Sequence, residues 1–323
     1  MTNSATARST DVWSACMIDT RIVYGFLGAG KTSCIQDYIL NDFFYKRGTT
    51  LILCFEEGEV QYDVGALSEK NTQVAYYDGG LDVAEFCMRR IEEVQPDRIY
   101  VEMNTMIQEL REKLPVVMEV SYAATWIEWA TLELYFANFR QMFSQMVSES
   151  HQVTFRGCPS KEMLAPYSES FRLMNRRATY LRQDPMGFHE RAFDLFLPFS
   201  LEEKEITITE SRFIPFWLDA LEHPEHYEKK VLHFTAPLEL RYESKAWKAG
   251  RVVMTCCMAD LQFMSFELMA NEGETPGEGW ACFDALACTA SDEYGRRVLK
   301  LKPLKIQSAS APKELILTPA GRS

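Results

Sequence analysis

The chain has 323 residues, with 34 Lys+Arg against 46 Asp+Glu, a formal net charge of −12, and nine cysteines scattered along it. That acidic balance excludes a broad phosphate-backbone binder, since no face carries enough positive charge to neutralise a polyanion. The length suggests about two domains and a core that needs no disulfide staples, and the odd, scattered cysteines with no secretory segment ahead of them point to a soluble, cytoplasmic, reducing setting without a membrane span.

Residues 1–17 are polar and Ser/Thr-rich and read as a disordered tail. Residues 20–24 (TRIVY) read as a strand running into glycines, followed by a helix over 31–45 with Ile35, Tyr38, Ile39 and Phe43 at helical spacing. The continuous apolar run 50–55 (TLILCF) is the kind of strand that a parallel sheet buries on both faces. Further strands are expected at 73–77, 98–101 and 116–121, with helices over 81–94 and 127–147, the last long and amphipathic. This alternation predicts an α/β domain over residues 18–200, a mostly parallel sheet with helices on both faces. Asp184, Pro185 and Gly187 then break the rhythm, and one helix is expected at 213–221. From 231 onward only strands follow, at 231–242, 251–258, 261–269, 280–289 and 297–306. Their spacing predicts a small, OB-like β-barrel domain over 205–318.

The chemistry is concentrated after the first strand. Gly25-Phe26-Leu27-Gly28-Ala29-Gly30-Lys31-Thr32 satisfies G-x-x-x-x-G-K-[ST] between a strand and a helix, the context in which backbone N–H groups curl around phosphates. Gly25, Gly28, Ala29, Gly30, Lys31, Thr32 and Ser33 are the candidate nucleotide-binding residues, with Lys31 on the β- and γ-phosphates and Thr32 on Mg²⁺. Glu102 closes the strand RIYV beside that loop, where a carboxylate reaches Mg²⁺ or an attacking water, and is the candidate catalytic residue. Cys54 and the carboxylates Glu56, Glu57 and Glu59 end the second strand. They read either as metal support, with Glu56 and Glu57 near Mg²⁺, or as an acidic surface loop.

GFLGAGKTS and the strand ending in Glu102 resemble the CobW/HypB/UreG family of P-loop GTPases and metallochaperones. LILCFEEGEVQYD, IYVEMN, DALEHPEHY and VVMTCCMADLQFMSFE resemble a CobW-like bacterial subgroup with a C-terminal β-domain. The resemblance implies binding of GTP (ATP being the alternative) with Mg²⁺, slow hydrolysis at most, and delivery of a metal or assistance to a client metalloprotein, with homodimerisation among the partner expectations. Three departures stand beside it. The family's ExxG reads Glu102-Met103-Asn104-Thr105, without the glycine. The NKxD expected after a strand near residue 155 is replaced by Arg156-Gly157-Cys158-Pro159, with no Asp to read guanine. The CxCC motif is missing near Asp78-Gly79-Gly80, so a transition metal lacks that support. These losses favour an alternative, a non-catalytic accessory protein whose β-domain docks a partner.

Weaker signals remain. Cys256-Cys257 is expected mid-strand and, with Cys282 and Cys288, reads as buried structural thiols rather than a zinc site, a thiol role staying open. His223 and His226 flank Pro224-Glu225 as an i, i+3 pair that reads as a solvated helix end or a metal clasp. Arg172, Arg176 and Arg177 suggest the lid of a small-metabolite kinase.

Overall fold

The computed structural model describes residues 17–41, 48–107, 109–193, 197–241, 246–256, 258–270, 273–275 and 277–319. All of the expected tail except Met17 lies outside these residues, as do the end of the first expected helix and Cys257. The chain forms two compact units, Met1–Ile127 and Glu128–Ser323.

The first unit alternates strand and helix: β1 Ile18–Tyr24, α1 Lys31–Asn41, β2 Thr50–Cys54, α2 Val64–Glu69, β3 Thr72–Tyr76, α3 Val83–Val94, β4 Arg98–Glu102 and β5 Met118–Glu128. The strands run in the order β3-β2-β4-β1-β5, every neighbour parallel. Leu51, Ile52 and Leu53 have no exposed surface, so the apolar run of β2 has both faces covered, as such a strand requires. Asp63 and Asp82 cap α2 and α3 by accepting from the amides of Ala66 and Ala84. Ile35 and Ile39 of α1 pack with Ile52, Leu67, Tyr100 and Trp126 in one core cluster.

In the second unit the expected long helix is two. Residues 127–128 belong to β5, and α4 Trp129–Asn138 is separated from α5 Arg140–Ser148 by Phe139 at φ −125° and ψ 37°. Phe136 and Phe143 would stand about 10.5 Å apart along an unbroken helix. The break brings their rings to 5.5 Å, and both pack on Phe171, at 5.2 and 6.0 Å. The chain continues through β6 Gln152–Arg156, α6 Ser168–Met174, β7 Thr179–Gln183 and β8 His189–Arg191, with β6 and β7 parallel and β7 and β8 antiparallel.

β9 Glu205–Ile208 and α7 Glu210–Glu222 lead into the long strands β10 Val231–Arg241, β11 Ala246–Met254, β12 Leu261–Leu268, β13 Gly279–Ser291 and β14 Arg297–Ser308, with β15 Ile316–Leu317 at the edge of β11. The five long strands close as β10-β11-β12-β14-β13-β10, a five-stranded barrel. The pairing of β12 with β14 is parallel, so the barrel is not a simple run of hairpins. Two thiol expectations change here. β11 ends at Met254, paired with Leu261, which puts Cys256 in the connection beyond the strand rather than within it. On β13 the inward positions are Ala281, Phe283, Ala285 and Ala287; Cys282 is exposed and Cys288 half-buried on the other face, so neither is a core thiol.

Candidate functional site

β1, β2 and β4 end side by side at the carboxyl edge of the sheet, and each delivers a part of the site. Beyond β1 the chain turns through Gly25 at φ +148°, where a Cβ would stand 2.5 Å from the backbone oxygen of Trp126; only glycine fits so close to β5. Gly28 and Gly30 follow at φ +80° and +92°, Ala29 donates its amide to Phe26 O at 3.1 Å, and the amide of Cys34 on Gly30 O starts α1. The loop therefore passes directly into a helix N-terminus, with Thr32 and Ser33 half-buried in its first turn.

Lys31 is 3% exposed. Its Nζ donates to Gly25 O at 2.9 Å and Phe26 O at 3.1 Å, and forms an ion pair with the carboxylate of Glu56. Glu56 thus meets Lys31, and Glu57 is exposed. The Thr32 hydroxyl donates to Glu102 Oε1 at 2.9 Å. Glu102 is also 3% exposed, and its second oxygen accepts from the Tyr62 hydroxyl at 2.6 Å and faces Cys54 Sγ at 3.7 Å. These hydrogen-bond partners are all neutral, so a buried carboxylate has hydroxyl and thiol donors around it while the nearby lysine is engaged by another acid. Burial, and then Glu102, raises the Tyr62 hydroxyl far above its ordinary range; burial first and Glu102 next push the Cys54 thiol up to about 12. Both groups stay protonated and serve as donors.

The hard oxygens of the Thr32 hydroxyl and the Glu102 carboxylate, which has no cationic partner among the described residues, suit Mg²⁺. When bound, that ion would neutralise phosphate charge there.

Tyr62 is the participant that sequence reasoning missed. Gln36 of α1 accepts the Asp63 amide at 2.7 Å, and Asp63 caps α2, which fixes Tyr62 against Glu102. Nothing in the run Val60-Gln61-Tyr62-Asp63 marks the tyrosine from a packing residue; the signal is purely tertiary. Thr105, at the position of the absent glycine, has a buried hydroxyl without a hydrogen-bond partner among the described residues. Asn104 turns the chain there, taking the Met106 amide at 2.9 Å and donating to Phe55 O at 3.3 Å.

The remaining candidates lie elsewhere. After β6, Cys158 is buried with Sγ on Ser160 O at 3.2 Å, and its carbonyl accepts from Arg182 at 2.5 Å. Asp78, Gly79 and Gly80 form a turn closed by the Gly80 amide on Asp78. Arg172 and Arg176 line a cavity of the second unit, together with His223 and His226, whereas Arg177 is not in its lining.

No protein-family model matches the chain, and no curated protein matches it. Among solved structures, the hydrogenase maturation factor HypB from Archaeoglobus fulgidus is similar over 52% of this chain and 82% of its own, at 14% identity and a TM-score of 0.36. A zinc-bound mutant of the YjiA GTPase is similar over 51% of this chain and 57% of its own, at 18% identity and a TM-score of 0.37. HypB from Helicobacter pylori in complex with nickel covers 51% of this chain and 78% of its own, at 11% identity and a TM-score of 0.33. Likeness at this level decides neither family nor chemistry.

Proposed function

We propose that the chain binds a nucleoside triphosphate with Mg²⁺ at the carboxyl edge of the parallel sheet, the nucleotide being GTP. Gly25, Gly28, Ala29, Gly30 and Ser33 supply backbone amides, Lys31 meets the β- and γ-phosphates, and Thr32 and Glu102 hold Mg²⁺. The observation that carries this reading is the pairing of the Thr32 hydroxyl with a buried Glu102 carboxylate whose hydrogen-bond partners are all neutral. Glu102 also positions the water that attacks the γ-phosphorus, and hydrolysis is slow. In this reading residues 18–200 handle nucleotide in the cytoplasm, and residues 205–318 serve a client metalloprotein or deliver a metal. Among the described residues no helix is long and apolar enough to cross a membrane.

Thr105 at the glycine position favours a second reading, binding without turnover, in which nucleotide stabilises a fold whose barrel docks a partner. A thermal-shift panel of GTP, GDP, ATP and ADP with Mg²⁺, run on the wild type and on Lys31→Ala, tests the binding site. Shifts retained in Lys31→Ala would refute the site assignment, and no shift with any nucleotide would refute the whole reading. Phosphate release no faster than in Lys31→Ala, despite tight binding, selects the accessory role. Equal shifts with GTP and ATP refute the base preference.

A further inference from the structure

At the C-terminal end of α7 the chain gathers two imidazoles and a carboxylate. The helix stops at Glu222, a 3-10 turn runs over Pro224–Tyr227, and the rings of His223 and His226 stack with centroids 4.8 Å apart and planes 23° from parallel. Donor atoms of His223, Glu225 and His226 all lie within 4.8 Å of one another, the one such group of three or more His, Cys, Asp or Glu side chains among the described residues. His226 is held: its Nδ1 lies 3.0 Å from Oδ2 of Asp219, whose side chain is 2% exposed. A buried carboxylate on Nδ1 holds the ring and leaves Nε2 as the nitrogen available to a metal, the way metal-ligating histidines are oriented. The negative end of the α7 dipole favours a cation at the same place.

Both histidines also line a cavity of about 410 Å³ that Arg172, Arg176 and Arg191 share. Arg172 is paired with Glu222 at 2.6 Å, yet its Nε has no hydrogen-bond partner among the described residues. Arg176 lies over the Trp217 ring at 5.7 Å. The cavity therefore combines a cation-attracting corner with guanidinium groups, in a protein whose overall charge is negative.

We propose that His223, Glu225 and His226 bind a divalent transition metal of the zinc class, and that its open coordination position faces this cavity and takes an anionic ligand, a carboxylate or phosphate, held by the arginines. Imidazole and carboxylate donors suit Zn²⁺, and three protein ligands leave the fourth tetrahedral position for a small molecule. Donors around tetrahedral zinc stand about 3.4 Å apart. The observed spread closes by side-chain rotation, for which His223 and Glu225, each 49% exposed, have room. Guanidinium groups match either anion with paired hydrogen bonds.

The test is Co²⁺ titration of the full, nucleotide-free chain, read by visible absorption. One equivalent should bind with d–d bands and no thiolate charge-transfer band. His226→Ala and the conservative His223→Gln, the latter at an exposed position, should each weaken binding at least tenfold, and Asp219→Asn by about tenfold, with far-UV circular dichroism of the metal-free variants unchanged. Inorganic phosphate should shift the spectrum in the wild type and not in Arg176→Ala. Unchanged affinity in both histidine variants, or a thiolate band, overturns the metal site; a spectrum insensitive to phosphate overturns its anionic ligand. Co²⁺ binding that survives Lys31→Ala separates this centre from the phosphate loop, so either reading can fail without the other.

Discussion

Replacing Glu56 by Gln should make the empty protein weaker and its grip on a triphosphate stronger. Lys31 and Glu56 have side chains only 2% and 10% exposed, and the lysine also donates to two loop carbonyls. Removing one partner of a buried ion pair costs about 3–5 kcal/mol, because the other charge is left uncompensated. The two carbonyls and the amide oxygen of the new glutamine soften this to about 2–3 kcal/mol. A bound triphosphate brings its own negative charge to Lys31, so the complex does not suffer the loss. Around the thermodynamic cycle the same 2–3 kcal/mol reappears as tighter binding, about 30- to 140-fold at 1.4 kcal/mol per factor of ten. Urea unfolding of the nucleotide-free protein measures the first quantity, and calorimetric titration with GTP, with and without Mg²⁺, the second. Affinity that falls only when Mg²⁺ is present would show that Glu56 is a metal ligand, and refute its role as the occupant that phosphate displaces. No change in either quantity would show that the pair does not form.

Gly25→Ala should destabilise the first unit by about 2–3 kcal/mol, since the new Cβ meets the Trp126 carbonyl at a backbone conformation that suits only glycine; a denaturant melt that does not move argues against this loop geometry. Tyr62→Phe removes a 2.6 Å donor from the buried Glu102 carboxylate and should cost about 1.5–3 kcal/mol, read from urea unfolding at neutral pH. Alkylation followed by mass mapping should label exposed Cys282 in the native protein and spare Cys54, whose thiol is buried and pushed up to about 12, until the chain is unfolded. His233 of β10 lies 2.6 Å from Asp284 and 3.4 Å from Glu205, and these carboxylates raise its pKa. Because the folded value lies above the unfolded one, its stabilisation is fully present below about pH 6.5 and is lost as pH rises through the folded value. The urea midpoint of wild type should therefore fall in that upward range relative to His233→Gln, and parallel pH profiles would contradict the pairing.

The parts of this molecule legible in the sequence are those dictated by local chemistry. The glycine spacing around Lys31 marked the tight loop that joins β1 to α1, the apolar run 51–53 marked a doubly covered strand, and the turn residues of the second half marked strands. What escaped depends on partners distant in the chain. Phe139 carries no breaker signal; its departure from helix goes with the packing of Phe136 and Phe143 on Phe171. The residue types at 54–59 indicated a charged site, but only the folded chain shows Glu56 paired with Lys31 and Glu102 taking the Thr32 hydroxyl. The end of β11 at Met254 is set by pairing with Leu261, so the apolar letters running on to Cys256 misled. The parallel closure of β12 on β14 completes the Greek-key order that the OB-like expectation requires, although hairpin spacing alone does not specify it.

The way the barrel is entered constrains how the chain can be dissected. β9 pairs in parallel with β10, and the buried side of α7, with Phe213, Ile214, Phe216 and Leu218, sits in one apolar cluster with Phe234, Phe266 and Phe283 from the strands. A fragment begun at Val231 would carry every long strand yet leave a strand edge unpaired and those rings without their lid of aliphatic and aromatic neighbours. A cut ahead of Glu205 keeps the helix, and with it the turn that carries His223 and His226. The smallest separable piece of this half is therefore strand, helix and barrel together, and any ligand held at the helix end is held by the barrel's own foundation.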